Sequence, residues 1–100
     1  GGMNISPDEI DKLLAGHPKL AAAAVTGFDD EVLGERIGAV VVAKPGQSID
    51  LGDLTEYLKG IGLAVFKLPE KIRVVAELPM NATGKVLRRE LKSLFDEESL

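Results

Sequence analysis

Leu78-Pro79-Met80-Asn81-Ala82-Thr83-Gly84-Lys85-Val86-Leu87-Arg88-Arg89-Glu90-Leu91 carries a proline, then Gly-Lys, then an amphipathic run. Gly84 can take backbone angles that other residues avoid, so the chain can turn sharply and present Lys85 near the start of a helix. From there two stripes diverge. Lys85, Arg88, Arg89 and Lys92 recur at helical spacing on one side, and Leu87, Leu91, Leu94 and Phe95 on the other. One side is for a core and the other carries cations. Lys and Arg in the first turns oppose the partial positive charge of a helix N-terminus. Together they make a site for an anion, phosphate or carboxylate, near Lys85. The spacing fits a solvated basic face equally well.

A nucleotide-binding P-loop is excluded. That loop needs Gly, four residues, Gly-Lys and then Ser or Thr. Pro79 and Val86 stand where the first glycine and the hydroxyl would be.

One hundred residues make one domain, and a hydrophobic share of 45% is enough for its core. Aromatics at 4% mean that this core is built from Leu, Ile, Val and Ala. A net charge of -4 argues against a general nucleic-acid binder. There is no cysteine for a disulfide or a thiolate, and one histidine does not make a structural zinc site. No apolar run reaches the roughly 18 residues of a membrane span. No signal peptide is visible, so the expected setting is cytoplasmic, with no nucleic acid and no transmembrane segment.

Upstream, Ser6-Pro7-Asp8-Glu9 reads as a helix start, with Ser6 as N-cap and Glu9 closing a capping box. Ile10, Leu13 and Leu14 form its stripe, and Gly16-His17-Pro18 ends it. His17 reads as a surface or packing residue. Residues 20–28 are nearly all apolar, as in a strand covered on both faces. Residues 29–35 read as an acidic, solvated connection; calcium loops need a longer, alternating set of ligands. Residues 36–43 are the clearest strand, expected antiparallel to the one before. Asp50 can cap a second helix, with Ile49 stapled onto Leu54. Residues 63–69 read as an irregular apolar connection and residues 71–75 as a third strand. The expected fold is α/β (α+β), a small mixed three-stranded sheet with about three packed helices, in the order α-β-β-α-β-α.

Leu-Pro-x4-Gly-Lys-x2-Arg-Arg-x-Leu resembles the C-terminal signature of the adenylate-forming enzymes. These are the acyl- and aryl-CoA synthetases, the adenylation domains of nonribosomal peptide synthetases and the luciferases. The likeness extends along the chain. Gly-Gly-x-Asn-Ile-x-Pro-x-Glu-Ile at residues 1–10 is similar to the motif opening the family's C-terminal domain. His17-Pro18 with the following apolar strand and Gly34-Glu35, and then Leu63-Ala64-x-Phe66-Lys67-x-Pro69, resemble its next segments, with Phe66 in place of the more usual Tyr.

The resemblance implies a mobile C-terminal domain over residues 1–100 of an AMP-forming acyl-CoA synthetase. The hinge and the N-terminal domain that binds ATP and the acyl substrate are then absent from this sequence. ATP and CoA are implied as substrates, with Mg2+ in the full-length enzyme but not held by this chain. The family lysine matching Lys85 serves adenylation, with Gly84 and Arg88 orienting it. Gly1, Gly2 and Met3 match the pantetheine tunnel, unless they are a tag remnant. Lys59 lies where some members contact the CoA nucleotide. Leu33 stands where some members carry a basic residue before Gly34-Glu35. In several synthetases the lysine is acetylated as an off-switch, which implies a lysine acetyltransferase acting on Lys85 as a further partner. Two alternatives remain: an adenylation domain that loads a carrier protein, or an isolated non-catalytic binding module. The acyl substrate and the oligomeric state are not legible. Residues 1–100 alone are expected to be inactive.

Overall fold

A computed structural model describes residues 6–32 and 34–96. Three helices, a short 3-10 turn and three strands follow in the expected order: α1 (Pro7–Leu14), β1 (Leu20–Asp30), β2 (Gly34–Ala43), α2 (Leu51–Gly60), the 3-10 turn Val65–Lys67, β3 (Lys71–Val74) and α3 (Arg88–Asp96). The sheet runs β1-β2-β3 and is mixed. β1 pairs antiparallel with β2, and β3 lies parallel to β2. Parallel neighbours need a crossover, and α2 lies in it.

The sheet is covered on both faces, which is why the middles of β1 and β2 read as apolar runs, whereas the edge strand β3 alternates Lys71-Ile72-Arg73-Val74. On β2 the side chains alternate. Ile37, Ala39 and Val41 join Ile10 and Leu14 of α1 and Leu54 and Leu58 of α2 in one buried cluster. Val40 faces the other way, with Ala24, Phe28, Leu78, and Leu91 and Phe95 of α3. On β1, Ala24 and Phe28 face α3 while Val25 faces α1 and α2. Leu20 breaks that parity and joins the α1/α2 cluster. The register shift between Leu20 and Ala22 inserts the extra residue that turns it over. Phe95 stacks on Phe28 at 5.5 Å, above Gly38. A Cβ at Gly38 would lie 2.6 Å from the Phe95 ring, so glycine there permits the close approach of α3.

Several expected boundaries shift. Residues 29–35 are not a loose connection: β1 runs to Asp30, β2 starts at Gly34, and Asp29 pairs with Glu35 across the hairpin. Lys92 of α3 stands 3.4 Å from Asp29 and offsets the like charges there. Ser6 caps α1 through its main chain alone, with no side-chain cap. The Glu9 carboxylate is drawn toward Lys67, 3.7 Å away, instead of closing a capping box. α1 ends at Leu14, one turn of chain before His17. That histidine is buried against Tyr57 and accepts a hydrogen bond from the Lys19 N–H at 3.1 Å.

α2 carries the expected cap and improves on it. Asp50 accepts from the Asp53 N–H at 2.8 Å, and the Asp53 carboxylate accepts from the Asp50 N–H at 3.0 Å. That second bond lowers the Asp53 pKa most; desolvation opposes it, and the Lys19 charge helps. No helix among the described residues is long and apolar enough to cross a membrane.

Candidate functional site

The expected helix from Lys85 starts late. α3 begins at Arg88, and Leu87 supplies the carbonyl that accepts from the Glu90 and Leu91 N–H groups. Residues 80–86 form a miniature hairpin instead. Met80 bridges Val86, and the Leu87 N–H reaches back to the Pro79 carbonyl at 2.9 Å. The Gly84 N–H closes onto the Asn81 carbonyl at 3.0 Å, and Gly84 itself sits at φ +83. A turn followed by one left-handed residue is a three-residue hairpin loop, and glycine is the residue that makes it without strain. Gly84 therefore turns the chain as expected. Lys85 lies on the returning limb of that hairpin, ahead of α3, so the helix N-terminus is not what surrounds it.

The four cations of the basic stripe part company. Arg88 is half-buried and turns toward α1 and β1. Its guanidinium donates to Asp8 at 2.9 Å, to Asp11 at 2.5 Å and to the Val25 carbonyl at 2.6 Å. Asp11 in turn accepts from the Val25 N–H at 2.8 Å. Asp11 and Arg88 thus satisfy both polar groups of one residue on the outer edge of β1, where an unpaired edge would otherwise be open. Burial works against the Arg88 charge, but the hydrogen bond and charge of Asp11, then those of Asp8, outweigh it and raise its pKa. Lys92 pairs with Asp29. Lys85 and Arg89 are exposed and have no ion-pair partner among the described residues.

Lys59 lies exposed in the last turn of α2, where the helix dipole favours a cation. α2 packs on one face of the sheet and α3 on the other, so the fold does not gather Lys59 and Lys85 into one site. Gly1, Gly2, Met3 and Leu33 lie outside the described residues. A groove of about 840 Å³ runs between the sheet and α3. Its apolar lining includes Val42, Val75, Leu78 and Leu94, and its charged side chains are Glu77 and Glu90, which do not suit an anion. Among the described residues no group of three or more His, Asp or Glu is placed to hold a metal ion.

Two residues of the site went unremarked in the sequence. Asp11 anchors Arg88 from 77 positions away, and no local signal marks it. Asn81 accepts three hydrogen bonds inside the hairpin. Asn at the first position of a turn, with Gly at the fourth, was the available signal.

The AMP-binding enzyme C-terminal domain family matches residues 9–85. The fatty acid–[acyl-carrier-protein] ligase ScoC of Streptomyces coeruleorubidus is 46% identical over 94 residues, which is 94% of this chain and 18% of the relative. The o-succinylbenzoate CoA synthetase MenE of Bacillus subtilis, in complex with its acyl-adenylate intermediate, superposes with a TM-score of 0.82. It is 40% identical, over 92% of this chain and 18% of that one. ATP-bound MatB of Rhodopseudomonas palustris gives a TM-score of 0.83 at 36% identity, over 97% of this chain and 19% of that one. The chain thus spans about a fifth of the length of these proteins.

Proposed function

The chain belongs to the AMP-binding enzyme C-terminal domain family, and from that premise we propose that it works as the mobile C-terminal domain of an ATP-dependent acid–thiol ligase. Its partner is an N-terminal domain of the same enzyme that binds ATP and the carboxylic acid. In the first half-reaction a carboxylate oxygen bonds to the α-phosphorus of ATP, pyrophosphate leaves, and an acyl-adenylate forms. In the second, the thiol sulfur of CoA bonds to the acyl carbon and AMP leaves. The setting is cytoplasmic.

Lys85 serves the first step. Two anions must approach each other there, and a cation between them stabilises the charge that develops. One observation carries this assignment: Lys85 stands exposed on a hydrogen-bonded hairpin with no ion-pair partner among the described residues, while its neighbour Arg88 is consumed inside the fold. A lysine arm of this kind can enter a site that is completed only when two domains close. Gly84 shapes the hairpin, and Arg88 orients it by pinning the start of α3 to α1. Gly1, Gly2 and Met3, and Lys59 on the opposite face, serve the CoA step in a second pose. Acetylation by a lysine acetyltransferase would remove the Lys85 charge and switch adenylation off.

A second reading concerns the thiol. ScoC, by its name, joins a fatty acid to an acyl carrier protein. A carrier-borne pantetheine is therefore the alternative acceptor, with the same role for Lys85.

The test uses the full-length ligase and assays the half-reactions separately. Lys85→Ala and the acetyl-mimicking Lys85→Gln should each stop pyrophosphate release, yet leave thioester formation from supplied acyl-adenylate intact. Equal loss of both would make Lys85 a structural residue, and loss of neither would remove it from the site. Supplying free CoA or a carrier protein to the second assay separates the two acceptors.

A further inference from the structure

We propose that Asn81 is a positioning residue for adenylation: it holds the backbone of Lys85 at both polar atoms and so fixes where the lysine arm begins. The proposal rests on Lys85 as the adenylation lysine. The Lys85 N–H donates to Asn81 Oδ1 at 3.0 Å, and the Asn81 N–H donates to the Lys85 carbonyl at 2.9 Å. The same Oδ1 accepts from the Thr83 N–H at 2.9 Å and the Thr83 hydroxyl at 2.7 Å. Two of the three donors to Oδ1 are main-chain N–H groups, which require an acceptor, so the amide is oriented with its oxygen inward.

The clasp lies outside the core. Asn81, Thr83 and Lys85 are all exposed, and none belongs to either buried cluster. Every one of these bonds closes between residues 81 and 85. They hold the hairpin tip rather than the domain. Met80–Val86 pairing and the Gly84 turn already close the hairpin. What the Asn81 side chain adds is a fixed height for the residue that carries the charge. A displacement of about 1 Å at a reacting group can cost on the order of a hundredfold in rate, and a long flexible arm rooted in a loose loop would suffer it.

The full-length ligase with Asn81→Ala, Asn81→Asp and Lys85→Ala tests this. Asn81→Ala should lower kcat of adenylation about 10- to 100-fold, with KM for ATP and thioester formation from supplied acyl-adenylate unchanged. Asn81→Asp keeps an acceptor oxygen in the same place and should restore the order of the loop, while its added carboxylate beside Lys85 opposes the incoming anions and keeps adenylation low. Hydrogen exchange at the amides of Thr83 and Lys85 should quicken in Asn81→Ala and stay slow in Asn81→Asp. Asn81→Ala with adenylation near wild type, with both half-reactions equally reduced, or with exchange at Thr83 and Lys85 no faster than in wild type would overturn the proposal. If Lys85→Ala itself adenylates normally, the Lys85 assignment is what fails, and the proposal falls with it.

Discussion

Lys85 stands exposed on a hairpin limb without an ion-pair partner among the described residues. Arg88, in the same motif, gives its guanidinium to two carboxylates and a strand carbonyl. The two regions around them are built differently. The Arg88 corner joins elements far apart in sequence and seals the edge of β1. The hydrogen bonds of the Lys85 hairpin close within residues 79–87, through Asn81 and Gly84, and Val86 alone of its returning limb packs against the core. A cation with internal partners contributes to holding the domain together, whereas one held out on a local loop is available to something outside it. The difference shows that a basic stripe in sequence is not one surface. Its members are sorted by which acids the fold brings near them.

The largest effect expected is on chemistry. Lys85→Ala should lower adenylation at least about a hundredfold, with no change in the urea midpoint of the chain; a lowered midpoint would erase the contrast with Arg88. Arg88→Ala should act first on stability, lowering the urea midpoint, and on adenylation only secondarily, through the hairpin that it orients. It leaves Asp11, whose side chain is 19% exposed, without its cation, at a cost of about 2 kcal/mol. Chemical denaturation reads that loss, and a double-mutant cycle with Asp11→Ala should show the two residues coupled. Additive effects would mean that the pair is incidental.

Gly84→Ala sharpens the comparison from the hairpin side. A Cβ there meets nothing within 4 Å, but φ is +83, so conformation rather than space opposes it. The expected cost is about 1 kcal/mol, with a several-fold loss of adenylation and no change in thioester formation. The smallest effect lies on α2, away from both regions. The Asp53 pKa is lowered in the fold, so its contribution is present above the ordinary aspartate value of 3.8 and lost as pH falls through the lower folded value. Asp53→Asn should therefore flatten the acid side of the stability profile, measured as urea midpoint against pH. An unchanged acid slope would mean that the reciprocal cap does not matter there.

Much of the molecule is written locally. The apolar periods of α1, α2 and α3, the β-branched run of β2, the Asp50 cap and the Gly84 turn all follow from residues within one turn or one strand of each other. That is why the element order and the mixed three-stranded sheet were legible, and why the Gly-Lys motif pointed to its family. Boundaries were less legible. The stripe from Lys85 to Lys92 matched helical spacing, but Gly84 and the Asn81 bonds keep residues 80–86 in a hairpin and delay α3 to Arg88. The acidic residues 29–35 looked like a loop because no local signal announced Lys92 beside Asp29.

The sequence by itself determined which segments would be helix or strand, where the chain would turn, and which lysine the family motif marks. Only the tertiary structure decided which cations of the stripe are spent, Arg88 and Lys92, and which are left, Lys85 and Arg89. Arg88 meets Asp8 and Asp11 across 80 and 77 positions of chain. Hydrophobic period and turn chemistry act between near neighbours, whereas an ion pair depends on distance in space, and that distance exists only once α1, β1 and α3 have packed.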